Sequence, residues 1–226
     1  FLARASRPLD APALLDAAME QLVAHQARLQ APTGLWWHGW ALDGNHRFSA
    51  NHWLRGNGWA AQAAADVLDA MPNDRGLAPG SRRWLEGVAG RQLGAIALLA
   101  RKDGLWPTVA DRTDFYVEAS GSAAVAHAMA TGLESGWLEP TAVSGVVDEV
   151  RAGAIASADP DGGLRRVSSG TGPQAEPGGY MRIPREAVQP WGQGLALMLL
   201  SHPEWAFRAR AVPGFVALAP GEAATV

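Results

Sequence analysis

The densest chemistry in the chain lies in Trp53-Leu54-Arg55-Gly56-Asn57-Gly58-Trp59 and in the loop before it, which holds His38, Trp40, Asp43, His46 and His52. Arg55 and Trp59 are four apart, a spacing that puts both on one face of a helix. A guanidinium fork holds a carboxylate through two parallel hydrogen bonds. An indole one turn away can stack on the ring that bears the carboxylate. Gly56 and Gly58 leave room for close approach, and a helix N-terminus adds positive potential. Together these features predict a grip for an acidic ring compound. The same residues equally allow Arg55 to pair with a local acid such as Asp43 while Trp59 joins the core. His38, in Trp36-Trp37-His38-Gly39-Trp40, reads by itself as a packed, hydrogen-bonded histidine. The spacings of 8 and 6 between His38, His46 and His52 match no metal motif, so no metal is expected.

A second cluster follows in residues 110–122: Asp111, Asp114, Tyr116, Glu118, Ser120 and Ser122. Paired carboxyls are the material of acid/base catalysis. Glu118 also suits a helix start, with the two serines satisfying free backbone donors there. The glycine-bearing pieces are not phosphate loops, because no GxxxxGK[ST] is present, and Ser120 does not sit in a GxSxG elbow. A third piece, Ser168-Ser169-Gly170-Thr171-Gly172-Pro173 followed by Gly178-Gly179-Tyr180, either lines a cleft mouth or simply connects two elements.

Six helical stretches must position these groups. Apolar spacing near 3.6 marks residues 11–30, 55–71, 80–100, 118–136, 140–158 and 189–206, and no strand is expected beyond short pieces in loops. The stretches alternate in pairs: a helix, Gly34-Leu35-Trp36, a loop, then a helix opened by small residues. The pattern returns at Gly104 and, less fully, at Gly163-Leu164, with starts 70 and 59 residues apart. Such a period with two helices per unit predicts a helical-hairpin array. Helices opened by GNG, SGS and GQG would form a close-packed inner ring. Those carrying Arg82, Arg83, Glu86 and Arg91, or Asp148, Glu149 and Arg151, would form a wetter outer one.

Composition narrows the partners. Among 226 residues, 19 basic and 22 acidic side chains leave a net charge of −3 without a basic block, so neither nucleic acid nor an anionic membrane is expected. No apolar run approaches the roughly 20 residues that span a bilayer. The chain has no cysteine, which excludes a thiol nucleophile and fits a cytoplasmic protein. Ten tryptophans stand against two tyrosines and five phenylalanines, and indole faces serve both cores and sugar clefts.

The motifs GLWWHGW, WLRGNGW, DGLW, EASGSAA and SSGTGP, in this order, resemble the unsaturated rhamnogalacturonyl and glucuronyl hydrolases of glycoside hydrolase families 105 and 88, the former more closely. The resemblance implies an all-α (α/α)6 barrel, a six-hairpin toroid. It implies removal of a terminal 4,5-unsaturated uronic acid from lyase-generated oligosaccharides, as in pectin degradation, with no cofactor. By this likeness His38 and Trp40 line the site, Arg55 and Trp59 hold and stack the sugar acid, and Asn57 adds a polar contact. The family's catalytic Asp precedes a segment resembling Phe1-Leu2-Ala3-Arg4-Ala5, so that Asp is expected upstream of Phe1. Residues 1–207 are expected to form the toroid domain, incomplete at the N-terminus, and 208–226 a tail. The rest of the ring would lie upstream or come from another chain, as in a homo-oligomer. An alternative is a half-barrel that binds an acidic sugar without consuming it.

Overall fold

The structure, a computed structural model, describes residues 1–71 and 80–202. The expected tail, and the last helical stretch beyond residue 202, lie outside the described residues. Among the described residues eight helices and one hairpin follow in order: α1 (Leu2–Ser6), α2 (Ala13–Leu29), β1 (Gly39–Ala41), β2 (His46–Ser49), α3 (Leu54–Ala70), α4 (Ser81–Ala97), α5 (Ala119–Glu134), α6 (Pro140–Ala156), α7 (Gly178–Met181) and α8 (Pro190–Leu200). All six anticipated helices are present. The antiparallel β1–β2 hairpin and the single turn of α7 had no clear sequence signal, since both are too short to show a period. No helix among the described residues is long and apolar enough to cross a membrane.

The helices form two layers. Side by side in the inner layer lie α1, α3, α5 and α8, with α2, α4 and α6 packed behind them. Sequence explains the division. In α4 the buried residues are Leu85, Val88, Ala89, Gln92, Leu93 and Ile96, one stripe at helical spacing, and each fully buried Leu or Ile there contributes roughly 1.5–3 kcal/mol. By contrast, α5 has twelve of its sixteen residues buried, because it touches α3, α6 and α8. Small side chains make that possible. A Cβ at Gly58 would stand 2.6 Å from the Cβ of Ala124, and one at Gly121 would stand 2.8 Å from the backbone N of Arg55. The third opening differs: Gly192 abuts Val167 at 2.8 Å, whereas Gly194 has open space. Arg151, grouped by sequence with the wet outer residues, is 4% exposed and donates to Asp148 Oδ1 at 3.4 Å.

The repeat is visible in the backbone, with one correction of register. Gly34 and Gly104 have φ of 96° and 76°, a region open to glycine. A Cβ would meet the carbonyl oxygen of Arg91 at Gly34 and that of Glu149 at Gly104, so both glycines press on the next outer helix. In the third repeat the positive φ, 82°, belongs to Gly162, and not to Gly163. Bridge pairs agree: Gln30 pairs with Trp36 and Ala158 with Leu164, so Leu164 takes the place of Trp36.

Three of the inner helices, α3, α5 and α8, each supply one polar side chain to anchor this strand. Trp36 N donates to Asn57 Oδ1 (2.8 Å), Trp106 N to Ser122 Oγ (3.1 Å), and Leu164 N to Gln193 Oε1. Two residues further on stand His38, Thr108 and Arg166. Neighbouring repeats are then stitched together, as Leu54 N donates to Thr108 O (2.8 Å) and Ala119 N to Arg166 O (2.9 Å). His38, Thr108 and Arg166 therefore share one position at the rim above the inner helices.

Candidate functional site

The rim of the first repeat is built around His38. Its backbone N donates to Asn51 O (2.9 Å), and its ring lies 4.2 Å from the Trp53 ring. Nδ1 is 2.6 Å from Tyr180 Oη. Ser49 Oγ donates to Gln174 O at 2.6 Å, which commits the serine proton and leaves its oxygen to accept from Tyr180 Oη at 3.0 Å. Tyr180 then has no proton for His38, so Nδ1–H is the donor and Nε2 carries the lone pair; the tautomer follows from the network. Among the described residues Nε2 has no hydrogen-bond partner. Burial, reinforced by the nearby Arg55 charge, lowers the His38 pKa to about 4, so the ring is neutral near pH 7.

His38 lines two open cavities. One, of about 400 Å³, is shared with Trp36, Trp37, Trp53, Gly56 and Trp59. The other, of about 470 Å³, is shared with Gly39, Trp40, Leu42 and Pro173. Trp59 is 43% exposed, and its indole faces the first cavity. The Trp40 indole N–H is buried without a partner among the described residues. A neutral acceptor between indole walls suits a hydroxylated ring whose C–H face is apolar.

Arg55 occupies a different setting from a free fork. It is 2% exposed. Nη1 donates to Glu118 Oε1 (3.1 Å), Ser120 Oγ (3.0 Å) and Ser168 O (2.9 Å), while Nη2 donates to Ser169 O (2.9 Å) and Thr171 Oγ1 (3.4 Å). Its guanidinium lies 4.8 Å from the Trp53 ring centre, and it is not among the side chains lining the cavity that Trp59 faces. The structure thus pairs Arg55 with Glu118 and not with Asp43. Burial lowers its pKa and the Glu118 charge offsets part of that.

Glu118 is wholly buried and is the N-cap of α5, accepting from Gly121 N. Its carboxylate also accepts from Ser120 Oγ (2.8 Å) and Ser168 N (3.0 Å). Glu118 and Arg55 therefore knot all three repeats together: α3, the start of α5 and the 168–171 segment. Asn57 is likewise internal, at 1% exposure, with Nδ2 donating to Trp36 O and Trp53 O (2.9 and 3.0 Å). Asp111 is bound to His52 Nδ1 at 2.8 Å, which holds its carboxyl below the usual range. Asp114 pairs with Arg112 at 3.2 Å. Of the residues singled out by sequence, His38, Trp40 and Trp59 face open space, while Arg55 and Asn57 support the rim from beneath. The sequence marks Tyr180 only as part of the 178–180 piece, a lone Tyr after two glycines.

A family model described as Glycosyl Hydrolase Family 88 matches residues 1–205. The unsaturated rhamnogalacturonyl hydrolase YesR of Bacillus subtilis (strain 168) is 32% identical over 89% of this chain and 56% of its own length. A crystal structure from Salmonella enterica, described as a possible member of the GH105 family, has a TM-score of 0.83 at 31% identity, covering 89% of this chain and 53% of that one. Its counterpart from Klebsiella pneumoniae gives 0.82 at 30%, covering 89% and 52%. The chain spans about half the length of the relatives it matches.

Proposed function

The chain belongs to Glycosyl Hydrolase Family 88, and on that premise we propose that the protein is a glycoside hydrolase releasing a terminal 4,5-unsaturated uronic acid from lyase-generated oligosaccharides, of the rhamnogalacturonyl type. Its helical pairs belong, on this reading, to an (α/α)6 barrel with the His38 rim at the mouth. The observation that carries the proposal is the 32% identity to an unsaturated rhamnogalacturonyl hydrolase across 89% of the chain, joined to a neutral histidine between indole walls.

The reaction is a hydration. A carboxyl gives a proton to C4 of the C4=C5 bond and takes one from water as it adds at C5. The resulting hemiketal opens and expels the remaining sugar. His38 Nε2 accepts a hydrogen bond from a hydroxyl of the unsaturated ring, and Trp59 in one cavity or Trp40 in the other offers an apolar face to it. Arg55 lends positive potential to the mouth and holds residues 168–171 in place; Asn57 fixes the strand that carries His38. Glu118, Asp111 and Asp114 are each committed to other partners, so the acid/base step is assigned to none of them.

The double bond conjugated with the carboxylate absorbs ultraviolet light, and hydration destroys that conjugation. The full chain incubated with an unsaturated galacturonyl-rhamnose disaccharide should abolish the absorbance. Persistence of the signal on this and on glucuronyl disaccharides would reject the hydrolase reading.

A further inference from the structure

Arg166 holds in the third repeat the rim position that His38 holds in the first. Beside it lies a cavity of about 350 Å³ lined by Lys102, Asp103, Phe115, Tyr116, Arg166 and Arg185 among others, a size within the range of small-ligand sites. Three cations face one carboxylate there, in a chain whose net charge is −3. Arg166 Nη1 donates to Asp103 Oδ2 at 3.1 Å, which accounts for one of the three. The Lys102 ammonium and the Arg185 guanidinium have no hydrogen-bond or ion-pair partner among the described residues. Arg185 lies 4.4 Å over the Tyr116 ring, so a cation and an aromatic wall are held together.

This cavity is one layer from the His38 rim. Tyr116 Oη donates to Tyr180 O at 3.3 Å, and Tyr180 is the residue that accepts from His38. Phe115 packs against the cluster of Trp53, Val109 and Tyr180. Tyr180, Trp53 and Val109 are buried and Phe115 and Tyr116 are part-exposed, so a chain of sugars with one end against His38 would run over Phe115 and Tyr116 to reach the cavity. Unpaired cations beside an aromatic wall recognise an oxyanion carried on a ring.

We propose that this cavity is a second subsite, which takes a carboxylate- or sulfate-bearing residue further along the oligosaccharide whose unsaturated end sits at His38. The oxyanion lies between Lys102 and Arg185, and the sugar ring lies against Tyr116 and Phe115. The identity of the ligand rests on the hydrolase reading above; the anion preference of the cavity does not.

The test compares the full chain with the Lys102→Gln/Arg185→Gln double variant, which leaves the Arg166–Asp103 pair intact. Substrates are the unsaturated disaccharide and unsaturated tetrasaccharides whose second acidic position carries a carboxylate, a sulfate or a neutral group. The wild type should favour the charged tetrasaccharides over the neutral one by on the order of tenfold in kcat/KM, as expected of two partly exposed ion pairs. High salt should erode the preference. The variant should lose it while keeping the disaccharide rate. The larger of the carboxylate and sulfate effects identifies the group. Equal rates on all three, or a preference that survives in the variant, would overturn the subsite. Direct binding of a saturated tetrasaccharide carrying the same groups reads the cavity without turnover. Weaker binding to the variant there, together with no disaccharide turnover, would keep the subsite and reject only the hydrolase reading.

Discussion

The first and third repeats use one backbone frame to present opposite chemistry. In each, a glycine of positive φ turns the strand, an amide side chain from the inner helix receives the backbone N–H two residues later, and the rim residue follows two positions after that. The first repeat sets a neutral imidazole there among indoles; the third sets an arginine beside two further cations and a tyrosine. The difference teaches that the helices fix where a side chain stands at the mouth, while the rim residue alone decides what it meets. One joint, Arg55–Glu118, serves both.

Breaking that joint should have the largest effect. Glu118→Ala leaves a buried guanidinium without its counter-charge and should cost about 3–5 kcal/mol in denaturant unfolding. Asp114→Ala, which breaks an exposed pair, should cost under about 1 kcal/mol. A comparable loss in both variants would deny Glu118 its central place. Next in size, Asn57→Ala strands the Trp36 N–H and should cost about 1–3 kcal/mol. It should also impair turnover at the His38 rim while leaving the anion preference of the third repeat unchanged; loss of both together would mean that the repeats are not separable.

The pH response sharpens the comparison, because of the two rims the first carries an imidazole, which titrates in the acid range, and the third a phenol, which does not. His38 has a folded pKa of about 4 against 6.5 for the free side chain, so on acidification the unfolded chain binds its proton first. Stability attached to His38 is intact above pH 6.5, declines as pH falls, and is gone below about 4. The stability difference between wild type and His38→Phe should therefore change across that window and be flat above it. A difference that is flat throughout would show that the ring is not desolvated. Smallest is an outer-layer change. Gly90 has open space around its Cβ position, so Gly90→Ala should stabilise by about 0.5–1 kcal/mol, whereas the same change at Gly58 in the inner layer should destabilise.

The helices were legible because apolar spacing survives in each, and the inner layer because glycine and serine at its helix starts have a packing consequence. The repeat was legible through Gly-Leu-Trp, but its third copy was read one residue late: only the backbone sign of φ tells Gly162 from Gly163. The rim residues His38, Trp40 and Trp59 stand out by type. The setting of Arg55 does not, because a guanidinium aimed at a ligand and one aimed at a buried acid share the same local sequence, and its partner Glu118 is 63 residues away. Spacing within one helix likewise put Arg55 and Trp59 on one face, yet the first turn of α3 is covered by the 168–171 segment, which only the fold brings there.

The most direct test of the account is a crystal structure of the full chain with a saturated uronyl disaccharide, which lacks the double bond that hydration consumes. The account predicts the acidic ring at the His38 rim, with a ring hydroxyl donating to Nε2 and the C–H face against Trp59 or Trp40, while the Arg55–Glu118 pair stays closed. An acidic ring bound directly by a swung-out Arg55, or bound away from His38 altogether, would contradict it.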